Sequence, residues 1–364
     1  MLSTLLFYMP FLLLYTVIAV YAERKVSAFM QDRLGPMEVG YYGILQTVAD
    51  LLKLLQKEDI VPAKANKHTF KIAPLLIFVP IFIGFAVLPL SPGWSAPAFS
   101  SALYFLFAIV SLDVLGIIIA GWASNNKYSM LGTMRSAAQI ISYEVPLTLA
   151  VLCACALTQS LDLQEISFQQ ASESIQSNTS SYLFGIKQLD INVSAAGGFL
   201  TWNVFRMTIL FFAWIIYFIA SLAECNRAPF DLPEAESELV AGYQTEYSGF
   251  RWAIIMLAEY AMMLLVSVVG VVLFWGSWNT PLPNIGSLRL ADWTTGVQGT
   301  LLYNIWGIFW LLSKSFLMIA LQMWVRWTYP RVRIDQLTQI SWKYLTPGAL
   351  ILLVISSLWR ILLL

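Results

Sequence analysis

The stretch "RWAIIMLAEYAMMLLVSVVGVVLFWG" at residues 251–276 decides the fold class of this chain. Its apolar run exceeds the roughly 20 residues that an α-helix needs to cross the hydrocarbon core of a bilayer. One carboxylate, that of Glu259, interrupts the run. We therefore predict a membrane-spanning helix here. We also expect a functional reason for the acid, because a charged group inside a bilayer is costly.

The composition extends this prediction to the whole chain of 364 residues. Apolar residues make up 59% and charged residues 12%, whereas soluble domains carry about a quarter charged residues. An all-α, polytopic integral membrane protein follows, with one membrane domain over 1–364 and no soluble domain. Eight spans are predicted, at about 2–22, 72–90, 102–123, 137–158, 200–223, 251–276, 300–325 and 345–363. Because charged residues follow the first segment at once, it is expected to be a retained helix rather than a signal peptide.

The positions of lysine and arginine predict the orientation in the membrane. Most of the 21 basic residues fall in the loops after the first, third, fifth and seventh spans. Since basic residues favour the cytoplasmic side, both termini are expected on the outer, periplasmic-equivalent side. We expect a bacterial inner membrane, with an organellar inner membrane as the alternative.

The cysteines and the histidine do not suggest a metal or cluster site. Cys153 and Cys155 lie two apart on a predicted helix and point to different faces, while Cys225 stands alone. The only histidine is His68, in a basic loop. We therefore expect this chain to bind no redox cofactor of its own.

The first inner loop contains an amphipathic helix, predicted at about 41–57. Apolar residues recur there at three- and four-residue spacing, and polar residues, including Asp50, fill the opposite face. Such a helix lies at the membrane interface or against the bundle. It is either a simple anchor or part of a site, and the charged stretch "ERKVSAFMQDRLGP" (23–36) next to it favours the second interpretation.

Five ionisable residues fall inside predicted spans: Asp113, Glu144, Arg206, Glu259 and Lys314. Glu144 and Glu259 lie at a similar depth, about 11 Å from the inner surface at 1.5 Å per residue. We therefore expect them to share a polar chamber and to carry protons. The alternative is a structural glutamate, protonated or paired with Lys314. Asp113 and Arg206 have weaker claims, since their sequence neighbours are apolar.

The inner loop 224–250 is unusually acidic. Six carboxylates occur between Glu224 and Tyr247, and Pro233 favours the start of a short helix that Gly242 can end. The loop is either a proton-loading site or a solvated contact patch for a basic partner. Its large apolar residues and its direct connection to the helix with Glu259 favour proton loading.

Several motifs together resemble one known family. They are "AERK" (22–25), "GWASNNKY" (121–128), "RSAAQIISYEVPL" (135–147), "ECNRAPFDLPEAESELVAGYQTEYSG" (224–249), "AEY" (258–260) and "YPRVRIDQL" (329–337). They resemble the membrane subunit of respiratory complex I, the NADH:quinone oxidoreductase, that forms the wall of the quinone chamber. The resemblance runs in order from Ala22 to about Pro347.

The resemblance implies a function in a translocase. This chain would line the tunnel by which a quinone reaches the peripheral arm, and it would couple quinone reduction to proton translocation. NADH, FMN and iron–sulfur clusters would bind to partner subunits, and the quinone could be ubiquinone, menaquinone or plastoquinone. The partners would be the peripheral-arm quinone-site subunits, the antiporter-like membrane subunits and lipid, but no nucleic acid.

The resemblance also implies roles for individual residues. Tunnel residues would be Glu23, Arg24, Arg33, Asp50, Arg227 and Arg251, the last two balancing the acidic loop. Proton coupling would involve Glu144, Glu224, Asp231, Glu234, Glu236, Glu238, Glu246 and Glu259. The chain departs from the family at Asp113, where a small neutral residue is expected, and in its long outer loop 159–199.

Three alternatives are open at this point. The chain could be the equivalent subunit of a ferredoxin-, deazaflavin- or hydrogen-linked membrane complex. It could be a stand-alone ion transporter, or a structural anchor for a peripheral enzyme. A transporter would be active alone in liposomes, whereas an anchor would tolerate neutralisation of Glu144 or Glu259.

Overall fold

The helix that contains Glu259 lies at the centre of the molecule. A computed structural model describes residues 2–94, 99–171, 193, 197–232, 240–285, 288–296 and 299–363. In chain order its α-helices are α1 (Leu2–Met30), α2 (Gln46–Gln56), α3 (Lys67–Gly84), α4 (Ala102–Val110), α5 (Leu112–Ser124), α6 (Lys127–Thr158), α7 (Leu163–Gln169), α8 (Asn203–Arg206), α9 (Thr208–Glu224), α10 (Gly249–Phe274), α11 (Leu290–Thr295), α12 (Leu301–Thr328), α13 (Ile334–Gln339) and α14 (Thr346–Leu363). Helix α10 packs against α3, α9 and α12. Most of its apolar residues are buried.

The all-α, polytopic class is confirmed. Among the described residues, seven helical segments are long and apolar enough to cross a membrane: Thr4–Met30, Lys67–Val87, Ala102–Ser124, Lys127–Thr158, Gly249–Phe274, Leu301–Thr328 and Ile334–Leu362. A two-residue antiparallel pair, Asn284–Ile285 with Leu288–Arg289, adds a small hairpin.

The predicted span 200–223 differs from the structure. Met207 has an extended backbone and separates the single turn α8 from α9, which has 17 residues, at the short end of the spanning range. The turn before Met207 is held by hydrogen bonds to other segments. The backbone N–H of Asn203 donates to Gln170 Oε1 at 3.1 Å, and its side-chain amide donates to the Leu273 carbonyl at 2.8 Å. These anchors fix the preceding turn independently of the helix.

The first helix is longer than the predicted 2–22. It continues to Met30, so Glu23, Arg24 and Lys25 lie on helix α1 and not in the loop. The reason is that Glu23, only 6% exposed, finds buried partners on other segments. Helix α6 likewise begins ten residues before the predicted 137, where Asn126 caps its first turn by accepting from the Tyr128 N–H at 3.0 Å.

The predicted amphipathic helix forms as α2, after a 3₁₀ turn at Tyr41–Gly43. Its apolar side chains, among them Leu51 and Leu52, are exposed in the isolated chain. Its polar face turns to α1, where Arg24 Nη1 lies 2.5 Å from Asp50 Oδ2.

Two sets of predictions fall partly or wholly outside the described residues. Glu234, Glu236 and Glu238, with the short helix predicted after Pro233, lie in 233–239, and most of the outer loop 159–199 is also outside. The described end of the acidic loop is a 3₁₀ turn at Gly242–Gln244. Gly242 has φ of 54°, and a Cβ on Gly132 would lie 2.7 Å from the Gly242 Cα. Glycine is needed on both sides of this contact, which holds the loop against α6.

Candidate functional site

A buried charge cluster joins α1, α10 and α12 at the end of the bundle that is predicted to face inward. The Glu23 carboxylate accepts a hydrogen bond from the Tyr260 hydroxyl at 2.6 Å and from Arg227 Nη1 at 3.3 and 3.4 Å. It also pairs with the Arg326 guanidinium. The Arg227 guanidinium stacks over the Tyr260 ring, 4.4 Å from its centroid. Among the described residues, the Glu23 carboxylate is thus shared by two guanidinium groups.

An open groove of about 400 Å³ lies at the end of α1 and the turn that follows it. It is lined by Arg24, Ser27, Arg33, Leu34, Gly35 and Pro36. The predicted tunnel residues are therefore divided in space: Arg24 and Arg33 line the groove, and Glu23 belongs to the buried cluster. Asp50 contacts Arg24 from α2 and also lies 3.6 Å from Lys53 Nζ.

The ion pair at the groove affects the protonation of Asp50. Partial burial raises the pKa of this carboxyl, but the hydrogen bond and positive charge of Arg24 outweigh burial, and the pKa lies below its ordinary value. Asp50 is therefore ionised at neutral pH, and it fixes α2 to α1 beside the groove.

Substituting Asn for Asp50 is expected to cost about 0.5 kcal/mol, because both side chains of this ion pair are partly exposed and screened by solvent. The folded-state pKa is lowered, so the ion pair contributes its full stability above the unfolded value of about 3.9. This stability is lost as the pH falls through the folded-state pKa. Melting temperatures of the assembled complex should thus differ by a constant amount near neutral pH, and converge only below about pH 4. A difference that grows on acidification would contradict this assignment.

A second group of acids surrounds a cavity of about 20 Å³, the size of a water molecule. Asp113, Glu224 and Glu259 line it, together with Asn226 and Tyr243. Glu259 Oε1 accepts from the Gln244 side-chain amide at 2.7 Å and from the Tyr243 hydroxyl at 3.2 Å. The described end of the acidic loop is thereby connected to the acid of α10, as its position in the sequence suggested.

A neighbouring cavity of about 10 Å³ contains Glu144 and Glu224, enclosed by apolar side chains such as Leu147 and Val266. Glu224 is 7% exposed and lines both cavities. Glu144 is only half-buried, so part of this residue lies at the outer surface of the chain. The shared chamber expected for Glu144 and Glu259 is therefore two small cavities connected through Glu224.

Asp113, which has a weaker claim from the sequence, lies among the acids of the cavity of about 20 Å³. It is 4% exposed, and within the described part of the chain one of its carboxylate oxygens has no hydrogen-bond partner. Its apolar sequence neighbours concealed its proximity to Glu224, which comes from another helix. The usable signal was the presence of a carboxylate inside a span.

The proposed pairing of Lys314 with a buried glutamate is wrong. Lys314 Nζ donates to the backbone carbonyls of Trp275 and Asn279, each at 2.9 Å. These carbonyls follow the end of α10 remote from Glu259, where a cation complements the helix dipole. Arg206 similarly donates to the Gln169 carbonyl at 3.3 Å and stays apart from the acids described above.

The arginines assigned to balance the acidic loop also have other partners. Arg227 pairs with Glu23, and Arg251 Nη2 lies 2.6 Å from Asp59 Oδ2, on the connection after α2. Arg331 pairs with the loop acid Asp231 at 3.0 Å. Glu246 accepts from the Asn126 side-chain amide at 2.6 Å. The last two contacts fasten the described parts of the loop to other segments of the bundle.

Comparison with known proteins identifies relatives over nearly the whole length. A family model described as NADH dehydrogenase matches residues 2–357. The chain is 58% identical over 357 residues to the second H-type subunit of the NADH-quinone oxidoreductase of Cytophaga hutchinsonii, covering 97% of each chain. It is 51% identical to the corresponding protein of Chlorobium luteolum, covering 94% of this chain and 84% of the relative. For the corresponding protein of Bacteroides fragilis the identity is 40%, with 95% and 87% covered.

Proposed function

Because this chain belongs to the family of the H-type membrane subunit of NADH-quinone oxidoreductase, we propose that it guides the quinone and starts the coupled proton movement in that translocase. The relatives are named as subunits of this oxidoreductase. Their names favour this function over a ferredoxin-, deazaflavin- or hydrogen-linked complex, and over a stand-alone transporter. Other subunits of the complex are the partners.

The groove beside Glu23 supports the quinone role. Its lining combines arginine side chains with the apolar Leu34 and Pro36, which suits a polar head group attached to an apolar tail. Negative charge that develops on the quinone during reduction would be stabilised by the guanidinium groups of Arg24 and Arg33.

The observation that carries the coupling proposal is the position of Glu224 in both cavities. A proton held at Glu259 can pass to Asp113 or Glu224 across a space of one water molecule, and from Glu224 to Glu144 across the next. Carboxyl groups that line one small cavity are hard to ionise together, because like charges at short range repel in a weakly polarisable interior. A proton gained at one end therefore favours release of a proton at the other.

The half-exposed position of Glu144 suggests where the proton leaves this chain. We assign the surface around Glu144 to contact with the neighbouring membrane subunits, which would continue the path. The central loop acids Glu234, Glu236 and Glu238 are proposed to supply protons to Glu259, a role that rests on the family resemblance. With the orientation predicted from the basic loops, that supply would come from the inner side.

Glu144→Gln tests this function. The amide keeps the shape of the side chain but cannot release a proton, so quinone reduction and proton pumping are expected to fall together by about a hundredfold. Both are measured in membranes after native electrophoresis confirms that the complex assembles. Glu165→Gln, which changes an exposed acid outside both cavities, is the matched control. Near-normal turnover and pumping in Glu144→Gln would show that Glu144 is structural.

A further inference from the structure

The helix that carries Glu144 contains a defect two residues later. Pro146 lies inside α6 and has no N–H, so it cannot donate to the carbonyl four residues earlier, that of Ser142. Ser142 is 7% exposed. A buried carbonyl without a donor is costly, and another group has to replace the missing one.

Ser341 supplies this donor from the last membrane-spanning segment. Its hydroxyl donates to the Ser142 carbonyl at 2.5 Å, and the serine is fully buried. Ser341 lies in a π-helical segment, Ile340–Leu345, between α13 and α14. Such wide turns change the direction in which side chains point and are frequent at functional sites.

Neighbouring contacts fasten the same turn of α6. The Trp342 indole N–H donates to the Ser142 hydroxyl at 3.4 Å. The Tyr143 hydroxyl donates to the Leu337 carbonyl at 3.0 Å. The two residues immediately before Glu144 are therefore both tied to the segment 337–342.

The other interior prolines lack this arrangement. Pro10, Pro74 and Pro80 also lie inside helices, and they leave the carbonyls of Leu6, Phe70 and Leu76 without their usual donors. Within the described ranges, no side chain donates to any of these three carbonyls, so the replacement donor is confined to the proline beside Glu144.

We propose that Ser341 is a positioning residue for Glu144, acting by supplying the hydrogen bond that Pro146 removes from α6. The inference rests on the proposed function of Glu144 and deepens it. Without the Ser341 hydroxyl, the turn at residues 142–146 would shift to find another donor, and the Glu144 carboxyl would move relative to Glu224. Displacements of this kind reduce proton transfer, which depends on donor and acceptor geometry.

A double-mutant cycle tests the inference directly. Ser341→Ala is expected to lower quinone-coupled pumping per assembled complex about tenfold, and to displace the pH profile of turnover. Pro146→Ala restores an N–H to α6, so Ser341→Ala in the Pro146→Ala background should stay within about twofold of Pro146→Ala alone. Ser315→Ala is the matched control, because the buried Ser315 hydroxyl donates only within α12, to the Leu311 carbonyl at 2.8 Å.

The possible results are clearly separated. An unchanged Ser341→Ala variant, or an equal loss with and without Pro146, would overturn the inference. If the Ser341→Ala complex does not assemble, the amount of assembled complex becomes the measured quantity of the cycle. Recovery of assembly on adding Pro146→Ala would support the inference, and no recovery would contradict it. Failure of the proposed function is recognised independently, by normal turnover and pumping in Glu144→Gln, and the cycle can then be followed by melting temperature.

Discussion

Substituting Gln for Glu224 is expected to reduce quinone-coupled proton pumping by at least about a hundredfold, the lower end of what a positioned acid–base group contributes. Glu224 lines both small cavities. A glutamine amide at this position would interrupt proton transfer from Glu259 and Asp113 to Glu144. The change preserves shape and removes the titrating group. Pumping is measured in sealed vesicles by a pH-sensitive dye, and normalised to the amount of assembled complex.

Two further variants make the Glu224 result specific. Asp113→Asn changes an acid of one cavity only, and we expect a smaller loss because Glu224 still connects Glu259 with Glu144. Glu165→Gln again controls for the loss of an acid elsewhere. A Glu224→Gln variant that pumps like the parent would contradict the connection through Glu224.

Substituting Gln for Glu23 is expected to destabilise the assembled complex by about 3–5 kcal/mol, the usual cost of breaking a buried ion pair by removing one partner. The Arg227 and Arg326 guanidinium groups would lose the carboxylate between them. The Tyr260 hydroxyl would also lose its charged acceptor. The amount of assembled complex and its melting temperature in detergent report this loss.

A second substitution tests the electrostatic reason for the Glu23 effect. Adding Arg326→Gln removes one of the two positive charges, so the double variant should recover part of the stability that Glu23→Gln loses. An additive further loss would show that Glu23 contributes by packing. Assembly and melting temperature equal to those of the parent in the single variant would contradict a buried ion pair at this position.

The spans could be predicted wherever apolar runs are continuous. The segment 251–276 was placed almost as observed, Gly249–Phe274, because hydropathy alone determines it. The end of the first helix was misplaced since Glu23 and Arg24 have the appearance of loop charges. Their partners, Arg227, Arg326 and Asp50, come from distant segments that a single sequence cannot place beside them.

The sequence predicts which kinds of residue could form the site better than it predicts which of them lie together. Glu144 and Glu259 stand out as candidates because they are acids inside spans, but the two cavities that share Glu224 depend on how the helices pack. The proximity of Asp113 to Glu224 and the carbonyl partners of Lys314 depend on the same packing. The missing N–H of Pro146 could be deduced from the sequence, whereas the donor, Ser341, could not, because it depends on the π-helical turn.

Whether buried carboxylates connect quinone reduction to proton movement is decided by comparing two substitutions at Glu224. Proton pumping and NADH-driven quinone reduction are measured together in sealed vesicles for Glu224→Gln and Glu224→Asp. Both activities are expected to collapse in Glu224→Gln. Glu224→Asp, which keeps a titrating group, is expected to retain a measurable part of each, with the proton-to-quinone ratio of the parent. Glu224→Gln with normal reduction and an unchanged ratio would contradict this connection.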